Sequence, residues 1–178
     1  SIGRAPSREQ VGNVTIPKVI HYCWFGERPH SQFLVHCMDS WRRLLPDYRI
    51  IEWNETNFDV NSHEYTKEAY QARKYAFVTD YVRLKVLFDH GGVYLDTDVE
   101  LLKPLDQFLV HQAFSGFEDE MNIPTAVMGS IAANEWIRVL LAEYEGLHFV
   151  GSDGAHDLTT NVSRITQTTQ ACFGVSMD

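Results

Sequence analysis

Asp96 and Asp98, separated by Thr97 at the end of the stretch GGVYLDTDVE, are the residues whose type and spacing point most directly to chemistry. Two carboxylates so placed can clamp a metal ion, act as nucleophile and general acid, or simply solvate a strand end. Strand alternation puts Tyr94, Asp96, Asp98 and Glu100 on one face, and Val93, Leu95, Thr97, Val99 and Leu101 on the other. Acids on one face suit a hard divalent cation, because Mg²⁺ and Mn²⁺ take carboxylate oxygens and share their remaining positions with phosphate and water. The pyrophosphate of a nucleotide is the natural further ligand, and charge neutralisation on a departing diphosphate is the chemistry such a site supplies. An isolated D-x-D also arises by chance, so the surrounding elements must decide.

Those elements read as an α/β chain. IPKVIHYCWFG is a Pro-bounded buried strand ending at Gly26, SQFLVHCMDSWRRLLP is an amphipathic helix stopped by Pro46, and YRIIEWN returns to strand. Strand, helix and strand at this spacing form a right-handed βαβ unit. Ligands in open α/β sheets sit outside the carboxyl ends of the strands, which is where Trp24, Phe25, Trp53 and Asn54 fall. A helical pattern covers roughly 64–90, with Phe77, Tyr81, Leu84 and Phe88 as its core stripe and Gly91 as its stop. Asp80 and Arg83 lie three residues apart on a neighbouring face, the spacing of an ordinary ion pair. HQAFSGFED and TAVMGSIAA read as strands, and NEWIRVLLAEYEG as a helix capped by Asn134. GSDGAHDLTTN reads as a loop, while VSRITQTT fits either a helix or a short strand.

The chain of 178 residues, 44% hydrophobic and 12% aromatic, is expected to form one domain over 16–178 behind a polar leader over 1–15. Its net charge of -9 argues against nucleic acid as a partner, since phosphate backbones are held by clustered Lys and Arg. Cys23, Cys37 and Cys172 form no C-x-x-C pair and no even-numbered disulfide framework, which points to a reducing compartment. His21, Cys23, His36 and Cys37 superficially suggest zinc, but their spacing fits no usual ligand set. No apolar run approaches the ~20 residues that span a bilayer, and the leader lacks a signal peptide's apolar centre. The sequons at Asn13 and Asn161 matter only in a secretory lumen.

IPKVIHYCWFG followed by AFVTDYVRLKVLFDHGGVYLDTDVELLKPL resembles the D-x-D sugar transferases that include glycosyltransferase family 32, from about residue 16 to 168 and in the same order. Bacterial members include capsular-polysaccharide synthesis proteins, fungal members include initiating α-mannosyltransferases, and the clostridial glucosylating toxins are distant relatives. The resemblance implies a GT-A (Rossmann-like) fold, a nucleoside-diphosphate sugar donor such as a UDP- or GDP-sugar, Mn²⁺ or Mg²⁺, and retaining transfer to a saccharide or other hydroxyl acceptor. It further implies a setting in surface or capsular polysaccharide synthesis, in the cytoplasm or at the inner face of the membrane.

Carried over by motif, Trp24 would stack on the nucleobase, with His21 and Tyr22 shaping that pocket and Asn54 a further nucleotide contact. Thr79, Asp80 and Arg83 of TDYVR would hold the donor sugar hydroxyls and the diphosphate side. Tyr94 would line the site, Asp96 would contact ribose, sugar and metal, and Asp98 would ligate the cation directly. The His-rich, Ser-Trp-containing segment that usually ends such domains is not in this sequence, so a C-terminally truncated domain is expected. That departure motivates a second reading, a nucleotide-sugar-binding fragment without catalysis. A third, a haloacid-dehalogenase-like phosphatase with Asp96 as phosphoryl acceptor, fits poorly. Its D-x-D follows the first buried strand, whereas here the pair follows a long helix and two glycines.

Overall fold

The computed structural model describes residues 14–116 and 126–173, without the side chains at 162, 168 and 170–173. The first thirteen residues of the expected leader with Asn13, the Phe117–Asp119 end of the third expected strand, and the Cys172 side chain lie outside the described residues.

Strand β1 (Val19–Cys23), helix α1 (Gln32–Leu44) and strand β2 (Arg49–Trp53) form the expected βαβ unit, with β1 and β2 parallel from Val19 beside Arg49 to Cys23 beside Trp53. Ser31 starts α1 by accepting the Leu34 N–H at 3.1 Å, as an N-cap serine does. Leu34, Cys37, Met38 and Trp41 form its buried stripe. Two helices follow, α2 (Glu64–Gln71) and α3 (Tyr75–His90), then strand β3 (Gly92–Leu95), parallel to β1. Strands β4 (Ala113–Ser115) and β5 (Val127–Ser130) run antiparallel and complete a sheet of order β2-β1-β3-β5-β4. Helix α4 (Glu135–Ala142), capped by Asn134, and helix α5 (Asn161–Phe173) close the described chain.

One apolar cluster joins the sheet to α1 through Tyr22, Trp41, Val93 and Leu95; another joins it to α2, α3 and α4 through Phe25, Tyr65, Val78, Val82, Tyr94 and Ile137. Gly92 supports the close approach of β3 to β1. Its φ is +121°, and a Cβ there would stand 2.7 Å from the Val19 carbonyl oxygen.

Three expectations change. The helical pattern over 64–90 is two helices, because Arg73 turns the chain at φ 56° between them. In α3 the fully buried residues are Val78, Val82, Arg83, Leu84, Val86 and Leu87, while Phe77, Tyr81 and Phe88 are only half-buried at its flanks. Helix α3 packs against both the sheet and neighbouring helices, so no single stripe marks its core face. Strand β3 stops at Leu95, one residue before Asp96. The Asp96 carbonyl then accepts the Val99 N–H at 3.1 Å and folds the D-x-D into a turn, so strand alternation no longer governs it. VSRITQTT lies in α5, where the Thr160 hydroxyl accepts the Ser163 N–H at 3.2 Å and caps the helix.

Candidate active site

Where β1 and β3 end, a cleft of about 460 Å³ opens, within the range of small-ligand sites. Cys23, Trp24 and Phe25 come to it from the end of β1, Thr79, Asp80 and Arg83 from α3, Tyr94, Asp96, Thr97 and Asp98 from β3 and its turn, and Thr160 and Asn161 from α5. Of the residues expected at the site, Trp24, Thr79, Asp80, Arg83, Tyr94, Asp96 and Asp98 are thus brought together.

Three others are not. His21 is fully buried below the cleft, with Nε2 2.8 Å from the Gly91 carbonyl and Nδ1 accepting the Trp53 indole N–H at 3.0 Å. That pairing requires the Nε2–H tautomer, and burial pushes the ring's pKa down to about 4. Tyr22 points to the opposite face of β1, where its hydroxyl donates to Glu52 at 3.0 Å and its ring packs edge-on to Trp41. Asn54 closes its own loop, its side-chain oxygen accepting from the Thr56 N–H and hydroxyl. These three side chains shape and support the sheet rather than line the cleft, and the indole of Trp53 is likewise occupied with His21 and a stack on His90. The zinc reading finds no support among the described residues: Cys23 and Cys37 are separately buried thiols, and His36 pairs with Glu100 at 3.3 Å.

Arg83 organises the floor. Its guanidinium donates to Asp96 at 2.9 Å, lies 3.7 Å from Asp80, and sits over the Tyr94 ring with its central carbon 4.6 Å from the centroid. The pair whose spacing alone is that of an ordinary ion pair is buried, with side-chain exposures of 5% for Arg83 and 14% for Asp80. The Arg83 charge is thus shared between these two carboxylates at the floor of the cleft it lines.

Burial raises the pKa of Asp80 to about 6 against the opposing pull of Arg83 and a hydrogen bond from the Asn161 backbone. Asp96 is also raised, by burial first and then by Asp98 nearby. Beside them the Cys23 thiol, pushed up to about 12 by burial, is inert. An Asp80 raised above its unfolded value binds a proton more tightly in the folded state, so stability falls as pH rises from about 4 to 6 and stays lowered above that. Asp80→Asn is therefore expected to raise stability at pH 8 by about 2–3 kcal/mol, and by much less at pH 4. Thermal midpoints of both proteins across that range check it; equal midpoints at pH 8 would show that the buried charge carries no cost.

The donor set fits a hard divalent cation that is completed by a ligand. Asp98 is exposed and makes no hydrogen bond or ion pair among the described residues, while Asp96 accepts from Arg83 and from Tyr94 and is held at the cleft beside it. Among the described residues no third protein ligand joins the two, since the one three-ligand group is Glu64, Glu68 and His148 elsewhere. Two carboxylates with open positions suit Mg²⁺ or Mn²⁺ sharing its shell with phosphate.

Residues 31–115 match the family described as glycosyltransferase sugar-binding region containing DXD motif. The chain is a relative of the DXD sugar transferases. It is 27% identical over 141 residues to inositol phosphoceramide mannosyltransferase 2 of Schizosaccharomyces pombe, an alignment covering 75% of this chain and 40% of that protein. It is 30% identical over 138 residues to mannosyl phosphorylinositol ceramide synthase SUR1 of Saccharomyces cerevisiae, covering 71% of this chain and 33% of that one. The chain thus spans two fifths or less of the length of these relatives. The solved PaToxG glycosyltransferase superposes with a TM-score of 0.62 at 15% identity, covering 88% of this chain and 69% of that one, and shows the shared GT-A fold.

The family match ends at residue 115, so two residues of this DXD relative's cleft, Thr160 and Asn161, lie beyond it. Asn161 is 3% exposed, and neither polar atom of its side chain has a hydrogen-bond partner among the described residues. The side chain of the sequon asparagine is consequently buried in the fold. The signal that could have found this element is Thr160 as a helix cap, obscured by the many β-branched residues that follow. Among the described residues no helix is long and apolar enough to cross a membrane.

Proposed function

We propose that this chain carries the donor-binding and catalytic centre of a metal-dependent, retaining glycosyltransferase that uses a nucleoside-diphosphate sugar. The observation that carries the reading is one cleft at the carboxyl ends of β1 and β3 in which an aromatic ring, Trp24, faces the same space as Asp80, Asp96 and Asp98. An aromatic face suits a nucleobase, carboxylates suit sugar hydroxyls and a cation, and the two together describe a nucleotide sugar.

In this reading Asp98 and Asp96 hold Mn²⁺ or Mg²⁺, which supplies charge neutralisation to the leaving diphosphate. Asp80, fixed by Arg83 and by the Asn161 N–H, accepts from donor-sugar hydroxyls. The Asn161 amide, whose donor and acceptor are both unpartnered among the described residues, meets a hydroxyl that can do both. Arg83 keeps Asp80 and Asp96 in place and offsets their mutual repulsion. Transfer breaks the bond between the anomeric carbon and the phosphate oxygen and forms one to the acceptor oxygen on the same face. The acceptor proton passes to the departing phosphate.

The acceptor is a saccharide or another hydroxyl compound. The names of the two curated relatives, both mannosyl enzymes, make a mannose nucleotide the first donor to try. The test is a thermal-shift panel of UDP- and GDP-sugars with Mn²⁺, followed by donor hydrolysis and transfer assays. One sugar nucleotide is expected to raise the melting temperature in a metal-dependent way and to be turned over. Binding without turnover favours a nucleotide-sugar-binding unit, and no stabilisation by any nucleotide sugar refutes the reading.

A further inference from the structure

We propose that Arg28 binds the phosphate groups of the donor and, in doing so, yields the face of Trp24 to the nucleobase. The inference rests on the nucleotide-sugar reading above and assigns a residue outside the D-x-D and TDYVR segments. Its first support is charge. The cleft is lined by the carboxylates of Asp80, Asp96 and Asp98 and by the guanidiniums of Arg28 and Arg83, so acids outnumber cations where an anionic diphosphate must enter. Arg83 lies between Asp80 and Asp96, its charge turned towards them. Arg28 is exposed and forms no ion pair among the described residues. It is the cleft cation whose charge no carboxylate has claimed.

Its second support is position. The Arg28 guanidinium carbon lies 4.2 Å from the centre of the Trp24 ring, while the Arg28 carbonyl accepts the Trp24 indole N–H at 2.9 Å. The chain returns over the ring because Gly26 and Glu27 both adopt positive φ, +100° and 52°. Gly26 is required there, since a Cβ would stand 2.7 Å from the Tyr75 ring. The indole's bond to the main chain holds the ring and the base of the Arg28 side chain together, while the guanidinium's Nε donates to the Phe25 carbonyl only at a long 3.4 Å, so the guanidinium can leave the ring while its backbone stays anchored. A cation–π contact on a solvent-exposed side chain is weaker than a forked, charge-assisted bond to phosphate, so the exchange is favourable. Uncovering the indole then joins phosphate capture to base stacking.

The experiment separates phosphate from base. Calorimetric titrations with Mg²⁺ present compare UDP and GDP with uridine and guanosine, on the unaltered protein, Arg28→Gln and Arg28→Lys. Arg28→Gln is expected to lose roughly 10- to 100-fold in affinity for the preferred nucleoside diphosphate. Its affinity for the corresponding nucleoside should be unchanged or tighter, and its melting temperature unaltered. Arg28→Lys, which keeps the charge but not the fork, should lose less. Unchanged diphosphate affinity in Arg28→Gln overturns the proposal, as does an equal loss for nucleoside and diphosphate, which would make Arg28 a stacking partner of the base. If the unaltered protein binds neither diphosphate, the nucleotide-sugar reading has itself failed and this inference falls with it.

Discussion

Asp98→Asn is expected to lower metal-dependent donor turnover by about 10²- to 10³-fold, the scale of losing one charge-stabilising group from a catalytic centre. It should do so without unfolding the protein. Asp98 is exposed, lies in the turn after β3 and makes no bond among the described residues, so its replacement by an isosteric amide falls in the class of surface changes worth within about ±0.5 kcal/mol. The amide cannot supply the anionic oxygen that a hard cation prefers. Measured over a Mn²⁺ series, the variant should need more metal and reach a lower maximum, with an unchanged melting temperature. A variant with wild-type turnover and wild-type metal dependence would remove Asp98 from the metal site. Asp96 is not an equivalent control, since changing it also removes the 2.9 Å bond to Arg83 and mixes folding with function.

The contrast between these two acids marks how far the sequence could be read. Alternation along GGVYLDTDVE correctly grouped Tyr94, Asp96 and Asp98 in one space, but for a partly wrong reason. The strand ends at Leu95, and a turn rather than the pleat brings Asp98, and Thr97 with it, into the cleft. The βαβ unit was legible because α1 has a single buried stripe and a serine cap. Helix α3 was less so, because it is covered on more than one side, and its buried Arg83 looks in sequence like any solvent-facing partner of Asp80. His21 and Tyr22 belong to the same motif as Trp24, yet His21 is buried between Gly91 and Trp53 and Tyr22 turns to Glu52 on the other face of β1, so neither lines the cleft. Asn161 and Arg28 were not found, one because it arrives from a distant helix, the other because a turn of two positive-φ residues carries it back over Trp24.

Arg83→Met is the substitution with the largest expected effect on stability. Removing one partner of a buried ion pair leaves an uncompensated charge and costs about 3–5 kcal/mol. Here two carboxylates are left behind, Asp80 and Asp96, and burial already raises the pKa of both. Without the guanidinium they rise further, so each can escape its unpaired charge by taking a proton. The sign of the pH dependence follows: their folded pKa values lie above the unfolded ones, so stability is lost as pH rises and regained as pH falls. The variant should therefore lose most at pH 8 and appreciably less at pH 5, where protonation relieves Asp80 first. A second change tests the cause: Asp80→Asn added to Arg83→Met should recover part of the loss at pH 8 and little at pH 5. Denaturant midpoints of the four proteins at the two pH values complete the cycle. If Arg83→Met costs the same at both, Arg83 supports the floor only by packing on Tyr94, and its charge does not hold the two aspartates in their ionised form.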